Sequence, residues 1–290
     1  MKPKTFIKKT VLTVGRIIPD RLYLCWRYRL FFKRKLNLKT PERFTEKIQW
    51  LKLYDRNPIY VQMADKSLVK EYVARKIGKE YIIPTLGIWD SFDDIDFNLL
   101  PNSFVLKCTH DSGGVYICTD KNRLNYTKIK NSINHSLKVN YFWYGREWVY
   151  KHIQPRIIAE KYMVDESGTE LKDYKIFCFN GKPKLIQVDY NRFSDHKRNL
   201  YTPNWERVDA EIEYRTNKDI EIPKPVCLDK LLELSSLLSK GIAHLRTDFY
   251  VVNDMIYFGE LTFYHGSGFE RFNPDSLDYE MGSWMDLGVK

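Results

Sequence analysis

Two short runs near the C-terminal end carry carboxylates at spacings that could do chemistry. Arg246-Thr247-Asp248-Phe249-Tyr250 and Tyr257-Phe258-Gly259-Glu260-Leu261-Thr262 are separated by the turn-forming pair Asn253-Asp254. As strands, the first places Arg246 and Asp248 on one face, and the second places Glu260 and Thr262 on one face. A hairpin closed across Asn253-Asp254 brings Asp248 and Glu260 to the same side. Two convergent carboxylates form a hard oxygen site suited to Mg²⁺, which is commonly held by one or two carboxylates plus substrate phosphates. Arg246 then meets a phosphoryl group or a developing oxyanion. Just downstream, His265-Gly266-Ser267-Gly268 is a small-residue loop whose amides suit an anion. Without further context the same residues also read as a surface cross-strand charge cluster.

Three other runs could join them. In Phe104-Val105-Leu106-Lys107-Cys108-Thr109-His110-Asp111-Ser112-Gly113-Gly114-Val115 a lysine sits inside an apolar strand and a Ser-Gly-Gly loop follows. Glycine loops let backbone N–H groups close over phosphate oxygens, and a lysine in an apolar setting supplies a fixed positive charge. This is not a Walker A loop, which reads GxxxxGK[ST] and opens a helix. Ile157-Ile158-Ala159-Glu160-Lys161-Tyr162-Met163 suits a linker whose backbone reads an adenine edge. Lys172-Asp173-Tyr174-Lys175-Ile176-Phe177 places Asp173, Lys175 and Phe177 on one strand face, either toward a ligand or at a solvated edge.

The elements that must position these residues follow from pattern. Thr40-Pro41-Glu42 has the form of a helix start, and Phe44, Ile48 and Leu51 recur at helical spacing through Leu53. Asp65–Ile77 repeats that pattern and Gly78 stops it. From Ser103 onward the texture changes to β-rich runs: 104–110, 115–119, 156–163, 172–180, 184–191, 244–253 and 255–262, with helices expected at 121–138 and 228–240. Asn180-Gly181 is a hairpin signal. The expected fold class is α+β with antiparallel sheets, after a mostly helical N-terminal region.

Composition bounds the function classes. The 290 residues are 43% hydrophobic and 29% charged, enough for one large or two modest cores. Net charge is +10, yet residues 1–39 alone hold twelve Lys/Arg against Asp20, so the remaining chain is one charge negative. A near-neutral body argues against nucleic acid as a partner, because phosphate tracking needs positive charge spread along the surface. In Arg21–Lys35 the basic residues interleave with Leu22, Tyr23, Leu24, Trp26, Tyr28, Leu30, Phe31 and Phe32. That mixture suits an anionic membrane surface, or an arm whose aromatics pack on the body. No run approaches a membrane-spanning length, and Thr10–Gly15 is too short for a signal peptide core. The five cysteines contain no CxxC pair and indicate reduced thiols in the cytoplasm.

Taken in order, these pieces resemble the TupA-like ATP-grasp family of surface-polysaccharide gene clusters, often labelled as glycosyltransferases. The resemblance covers nearly all of 38–275, including the runs 46–55, 144–148, 155–160 and 173–184. It implies an ATP-grasp fold with ATP bound between two α+β subdomains: a basic arm (1–39), a helical region (40–100), an N-terminal subdomain with the glycine loop (101–158) and a C-terminal subdomain with the metal site (159–290). By analogy with ATP-grasp ligases, Lys107 contacts nucleotide phosphate, Ser112, Gly113 and Gly114 cover the phosphates, and Glu160, Lys161 and Met163 read adenine. Asp173 joins the cofactor set. Asp248, Glu260 and Thr262 hold Mg²⁺, and Arg246 and Lys175 act on the phosphoryl transfer. His265, Gly266, Ser267 and Gly268 are left for substrate.

Two positions depart from the pattern. Thr262 stands where an asparagine is usual, and Asp111 puts an acid beside the phosphate loop. The implied activity is an ATP-dependent carboxylate–amine ligase acting through an acyl phosphate in cell-surface polysaccharide biosynthesis. A carboxylate-bearing sugar or amino acid is the expected substrate. The alternatives are a sugar-nucleotide glycosyltransferase, for which Asp94-Ile95-Asp96 is a poorly placed D-x-D, and a non-catalytic membrane-associated scaffold.

Overall fold

A computed structural model describes residues 16–164, 171, 173–190 and 196–288. Helix α1 (Asp20–Phe32) precedes α2 (Phe44–Tyr54), α3 (Ile59–Ala64) and α4 (Leu68–Ile77). Then come β1 (Thr85–Trp89), β2 (Phe104–Cys108), β3 (Val115–Cys118), α5 (Tyr126–Leu137), α6 (Phe142–Gly145) and β4 (Ile157–Lys161). The C-terminal half holds β5 (Asp173–Phe179), β6 (Lys182–Tyr190), β7 (Lys197–Tyr201), β8 (Arg207–Val208), β9 (Glu211–Ile212), α7 (Leu228–Ser239), β10 (His244–Val252), β11 (Met255–Thr262), β12 (Phe272–Asn273) and α8 (Ser276–Ser283). Residues 1–15 of the basic arm lie outside the described residues, as do Lys172 and the segments 165–170 and 191–195.

Two antiparallel sheets carry the molecule. One has the order β1-β4-β2-β3 and the other β11-β10-β5-β6-β7-β8. The smaller sheet packs its apolar side on Ile129 and Ile133 of α5 and on Phe92, Ile95 and Leu100. Thr85–Trp89 joins it from the region expected to be helical, and β4 runs across the subdomain boundary expected at 158/159. The larger sheet is covered on one side by α7, through Leu228, Leu231, Leu234 and Leu238, and shares its core with α2, α3 and α4. Every residue of β5 is buried. A strand buried on both faces must pair each polar side chain it carries, and this one carries Asp173 and Lys175.

The expected start of α2 at Thr40-Pro41-Glu42 is displaced. The helix begins at Phe44, because Glu46 gathers the free amides itself: its carboxylate accepts from the N–H groups of Asn37 (3.2 Å), Glu42 (3.1 Å) and Arg43 (3.3 Å). Likewise α4 begins at Leu68 rather than Asp65, whose carboxylate accepts from the amides of Ser67 (2.8 Å) and Leu68 (3.2 Å). Gly78 ends α4 at φ 125°, as its position implied.

Helix α1 is part of the body on one side. Tyr23, Leu24 and Tyr28 are buried against Phe269, and Arg34 and Arg43 both reach Asp275 and Asp278 at the start of α8. The entry to α2 lies so close to α8 that a β-carbon on Gly282 would sit 1.9 Å from the Glu42 carbonyl oxygen and 2.8 Å from the Phe44 nitrogen. Backbone on backbone cannot yield, so Gly282→Ala is expected to destabilise by at least about 1–3 kcal/mol. An unchanged urea midpoint would contradict this contact.

Candidate active site

The hairpin β10–β11 turns on Asn253 and Asp254, at φ 48° and 61°, the left-handed pair that a two-residue hairpin of this hand needs. From Val252↔Met255 the register runs regularly to Phe249↔Phe258. Continued without interruption, it would set Glu260 opposite Thr247 and turn it to the far face. A bulge at Gly259 adds one residue, and beyond it Asp248 pairs with Glu260 and Arg246 with Thr262. A β-carbon on Gly259 would stand 3.1 Å from the Asp248 carbonyl oxygen, so the small residue also gives the bulge its room. The two carboxylates and the arginine therefore share one face because of a single extra residue.

On that face Arg246 is the centre. Its Nε donates to Asp248 Oδ1 (2.7 Å), its Nη2 donates to Asp248 Oδ2 (2.6 Å) and to Glu260 Oε1 (3.0 Å), and its Nη1 lies 2.6 Å from His265 Nδ1. Arginine can only donate, so His265 Nδ1 accepts and the ring proton sits on Nε2, which faces Glu270 at 2.6 Å. Glu270 lies 3.3 Å from Arg198, whose Nε donates to Asp189 (2.8 Å). Lys175 closes the ring: its ammonium is 3.3 Å from Asp189, 3.8 Å from Asp248 and in contact with Asp173. Each of these charged side chains is deeply buried except Glu260 and Glu270.

The charge balance explains their ionisation. Although half-exposed, Glu260 is partly enclosed by protein, which would raise its carboxyl, but Arg246, Lys66, Lys175 and Lys107 together bring it down to about 2. Asp248 goes the other way, pushed up by burial and by the neighbouring carboxylates Asp173 and Glu260 against the pull of Arg246 and Lys175. Burial and Arg246 push His265 down, while Glu270 is held at about 2 by His265 and Arg198 in spite of burial. His265 thus fixes the far side of the Arg246 fork, between Arg246 Nη1 and Glu270.

Lys107 comes from the other sheet. It lies on β2 beside β4, where its ammonium is 2.5 Å from Glu160 Oε2, and Lys70 of α4 holds the other oxygen at 2.6 Å. That holds the Glu160 carboxylate between two lysines, and of the other expected adenine-reading residues Lys161 ends the strand and Met163 lies two residues beyond it. Lys161 N donates to the Pro84 carbonyl oxygen (3.0 Å), and beyond it the chain leaves the sheet at Tyr162. Lys107 on β2 and Lys66 in the connection between α3 and α4 both draw down the carboxyl of Glu260 on the other sheet.

The loop after β2 bends over a cavity of about 380 Å³ lined by Asp111, Ser112, Gly113, Gly114, Tyr116 and Tyr141 among others. Gly113 has φ 88°, and a β-carbon on Gly114 would meet Asp111 Oδ2 at 2.6 Å. Asp111 bends inward: its carboxylate accepts from the Ser136 hydroxyl and faces Lys66 at 3.9 Å. The acid beside the loop is therefore engaged with the protein.

Loop 265–268 is held from outside the gap. Gly266, Ser267 and Gly268 take φ values of 53°, 55° and 62°. The Ser267 carbonyl accepts from Lys52 (2.7 Å) and Gln49 (3.1 Å), its hydroxyl meets Lys52 at 2.9 Å, and its amide donates to the Tyr264 carbonyl (2.8 Å). The side chain of Ser267 and that of His265 thus face the body of the protein. Thr262 Oγ1 donates to Glu260 (3.2 Å) and steadies that carboxylate.

Several residues of this arrangement escaped sequence reading. Lys66, the residue after α3's Asp65 cap, donates its ammonium to the Asp111 carbonyl oxygen and its backbone N–H to the Thr109 carbonyl oxygen (3.1 Å). With Lys70 it stands four residues apart, on a stretch where lysine would ordinarily be solvated. Asp189 and Arg198 sit on β6 and β7, and the alternation Gln187, Asp189 between Ile186, Val188 and Tyr190 was the available signal.

Magnesium fits the donor set. Asp248 and Glu260 offer hard oxygens on one face, and the cation they now share is the Arg246 guanidinium. Among the described residues no three or more His, Cys, Asp or Glu side chains gather as a metal site.

The TupA-like ATP-grasp family model matches residues 46–286. No curated protein matches the chain. Among solved structures, D-alanine–D-alanine ligase from Bacillus anthracis complexed with ATP is 17% identical at a TM-score of 0.40, over 69% of this chain and 53% of that one. The D-alanine–D-alanine ligase from Helicobacter pylori is 17% identical at 0.41, over 84% and 70%. A RimK domain ATP-grasp protein from Sphaerobacter thermophilus is 11% identical at 0.41, over 77% and 67%. The chain spans about half the length of the first of these ligases. The family match covers most of the chain and includes both sheets and all the charged groups that meet between them: this protein belongs to the TupA-like ATP-grasp family.

Proposed function

We propose that this protein is an ATP-dependent carboxylate–amine ligase of cell-surface polysaccharide biosynthesis. The observation that carries the reading is the charged face of the larger sheet, where Arg246 lies 3.0 Å from Glu260 and Lys175 3.8 Å from Asp248, while Lys107 of the smaller sheet and Lys66 of the α3–α4 connection add to the pull on the Glu260 carboxyl. A triphosphate needs that concentration of positive charge, and the paired carboxylates need a divalent ion to approach the same phosphates. Asp248 and Glu260 would hold Mg²⁺, which supplies neutralisation of the phosphate oxygens when bound.

The chain's own groups then divide the work. Lys107 and Lys66 bind phosphate oxygens, and the amides of Ser112, Gly113 and Gly114 cover them. Lys175 and Arg246 stabilise the charge that builds as the terminal phosphoryl passes to a substrate carboxylate, giving an acyl phosphate and ADP. An amine attacks the acyl carbon, the carbon–oxygen bond to phosphate breaks, and an amide and inorganic phosphate leave. Arg246 is ready for this because His265 and Asp248 fix its plane from two sides. The carboxylate donor is a uronic acid or an amino acid, and the basic N-terminal segment keeps the enzyme at the inner face of the plasma membrane.

The test is ADP release from Mg·ATP across uronic acids and amino acids, with hydroxylamine as the nucleophile that traps an acyl phosphate as hydroxamate. Carboxylate-dependent ADP and hydroxamate in equal amounts are expected. Stabilisation by UDP-sugars with none by Mg·ATP would overturn the reading in favour of a glycosyltransferase.

A further inference from the structure

Helix α1 has two apolar sides. At 3.6 residues per turn, Leu24, Tyr28 and Phe31 fall together and pack on the body, with Phe269 against them. On the opposite side Leu22, Trp26 and Leu30 follow one another at intervals of four and remain 61%, 51% and 50% exposed. Ile17, just before the helix, is 87% exposed. An apolar row of this kind on a helix already satisfied on its other side has no role in the core.

The charges around that row are all of one sign. Arg16, Arg21, Arg29, Lys33, Lys35 and Lys39 are exposed, and Arg29 and Lys33 lie within the same outward sector as Leu22 and Trp26. No acid between residues 16 and 41 is exposed: Asp20, the one present, faces Arg146 at 3.2 Å and Arg56 at 3.8 Å. By contrast Arg27 and Arg34 turn inward, to the Tyr144 carbonyl and to Asp275 and Asp278. Thus Arg27 and Arg34 have partners on the body, Arg16 lies over the Trp143 ring at 5.4 Å, and Arg29 and Lys33 flank the apolar row. Residues 1–15 add four more lysines, Arg16 following them, and no acid.

We infer that the outward face of α1, formed by Leu22, Trp26 and Leu30 with Arg29 and Lys33, is a docking surface for an anionic lipid bilayer. The helix lies in the plane of the interface, its leucines and tryptophan entering the acyl boundary and its arginine and lysine meeting lipid phosphates. A nucleic acid would use the charges and leave the leucines in water. A second copy of this chain would bring the same positive charge against itself. Only an anionic surface with an apolar interior uses both sets of residues. The proposal deepens the membrane location given above and is independent of the ligase reading.

The experiment is co-sedimentation of the full chain with vesicles of phosphatidylcholine alone and of phosphatidylcholine mixed with phosphatidylglycerol. Binding to the mixed vesicles, lost at high salt, is expected, with little binding to phosphatidylcholine alone. Leu22→Ser, Trp26→Ser and Leu30→Ser combined should weaken it at least about tenfold, since each buried apolar side chain contributes. Arg29→Gln and Lys33→Gln combined should remove the preference for phosphatidylglycerol. The thermal midpoint with Mg·ATP reports that both variants remain folded, so a failure of docking is separable from a failure of the ATP site. Unchanged vesicle binding in the serine variant, absence of binding by the wild-type chain, or a concentration-dependent dimer that the serine variant abolishes would overturn the proposal.

Discussion

Glu260→Gln is expected to lower ATP turnover about a hundred- to a thousandfold while leaving the chain folded. Gln keeps the size of the side chain and can still accept from Arg246, so the ring around Arg246 survives. What disappears is the negative charge that Arg246, Lys66, Lys175 and Lys107 hold ionised, and with it one hard oxygen ligand of a divalent ion. Glu260 is half-exposed at the mouth of the gap, which keeps its share in folding small. ADP release in the presence of the carboxylate substrate, read beside the urea midpoint, checks both halves. Unchanged turnover would remove Glu260 from the metal site.

The second large effect is on stability. Arg246→Ala removes the counter-ion of Asp248 from a site where that carboxylate is almost wholly buried. Breaking such a pair from one side costs about 3–5 kcal/mol, because the buried carboxylate loses both of its hydrogen-bonded contacts and keeps only Lys175, 3.8 Å away. His265 loses its donor as well, and Glu260 its nearest cation. The pH dependence follows from the Asp248 carboxyl, already raised by burial in the native protein. A carboxyl whose folded pKa lies above its unfolded value binds more protons when folded, so its contribution to stability falls as pH rises through that range. Without Arg246 the carboxyl moves further up and can take a proton. The destabilisation by Arg246→Ala should therefore be smaller near about pH 5 than near about pH 8. Urea denaturation at both values measures it, and an equal loss at the two would contradict the assignment of Asp248 as the group that loses its counter-ion.

Much of this arrangement could be seen in the sequence, for identifiable reasons. The turns at Asn180-Gly181 and Asn253-Asp254 were legible because few residues tolerate the left-handed backbone they adopt. Strands 104–108, 115–118, 173–179, 244–252 and 255–262 showed through their alternation and β-branched content, with ends off by one or two residues. The meeting of Asp248 and Glu260 was legible only in outcome. Period-two reasoning with a two-residue turn sends Glu260 to the far face, and the bulge at Gly259 that returns it depends on register, which no local pattern fixes.

Other features were hidden by tertiary contacts. The start of α2 moved because the Glu46 side chain captures three amides, a choice that Thr40-Pro41 does not foretell. Lys66 and Lys70 read as surface lysines of an amphipathic helix until β2 and β4 bring Asp111 and Glu160 to them. The ring through His265, Glu270, Arg198 and Asp189 joins β6 and β7 to the loop between β11 and β12, so its two halves become neighbours only in the folded chain. His265 and Ser267 stood out as members of a small-residue loop, whereas in the fold the first orients Arg246 and the second meets Lys52.

The claim on which the ligase reading depends is that Lys107 and the pair Asp248 and Glu260, carried by different sheets, act on one triphosphate. Crystals of the protein grown with Mn²⁺ and a non-hydrolysable ATP analogue test it directly through the anomalous scattering of manganese. The expected result is a manganese peak bridging the carboxylates of Asp248 and Glu260, with the analogue's phosphates between that ion and the ammonium of Lys107. A nucleotide seated elsewhere, or manganese bound away from both carboxylates, would contradict it.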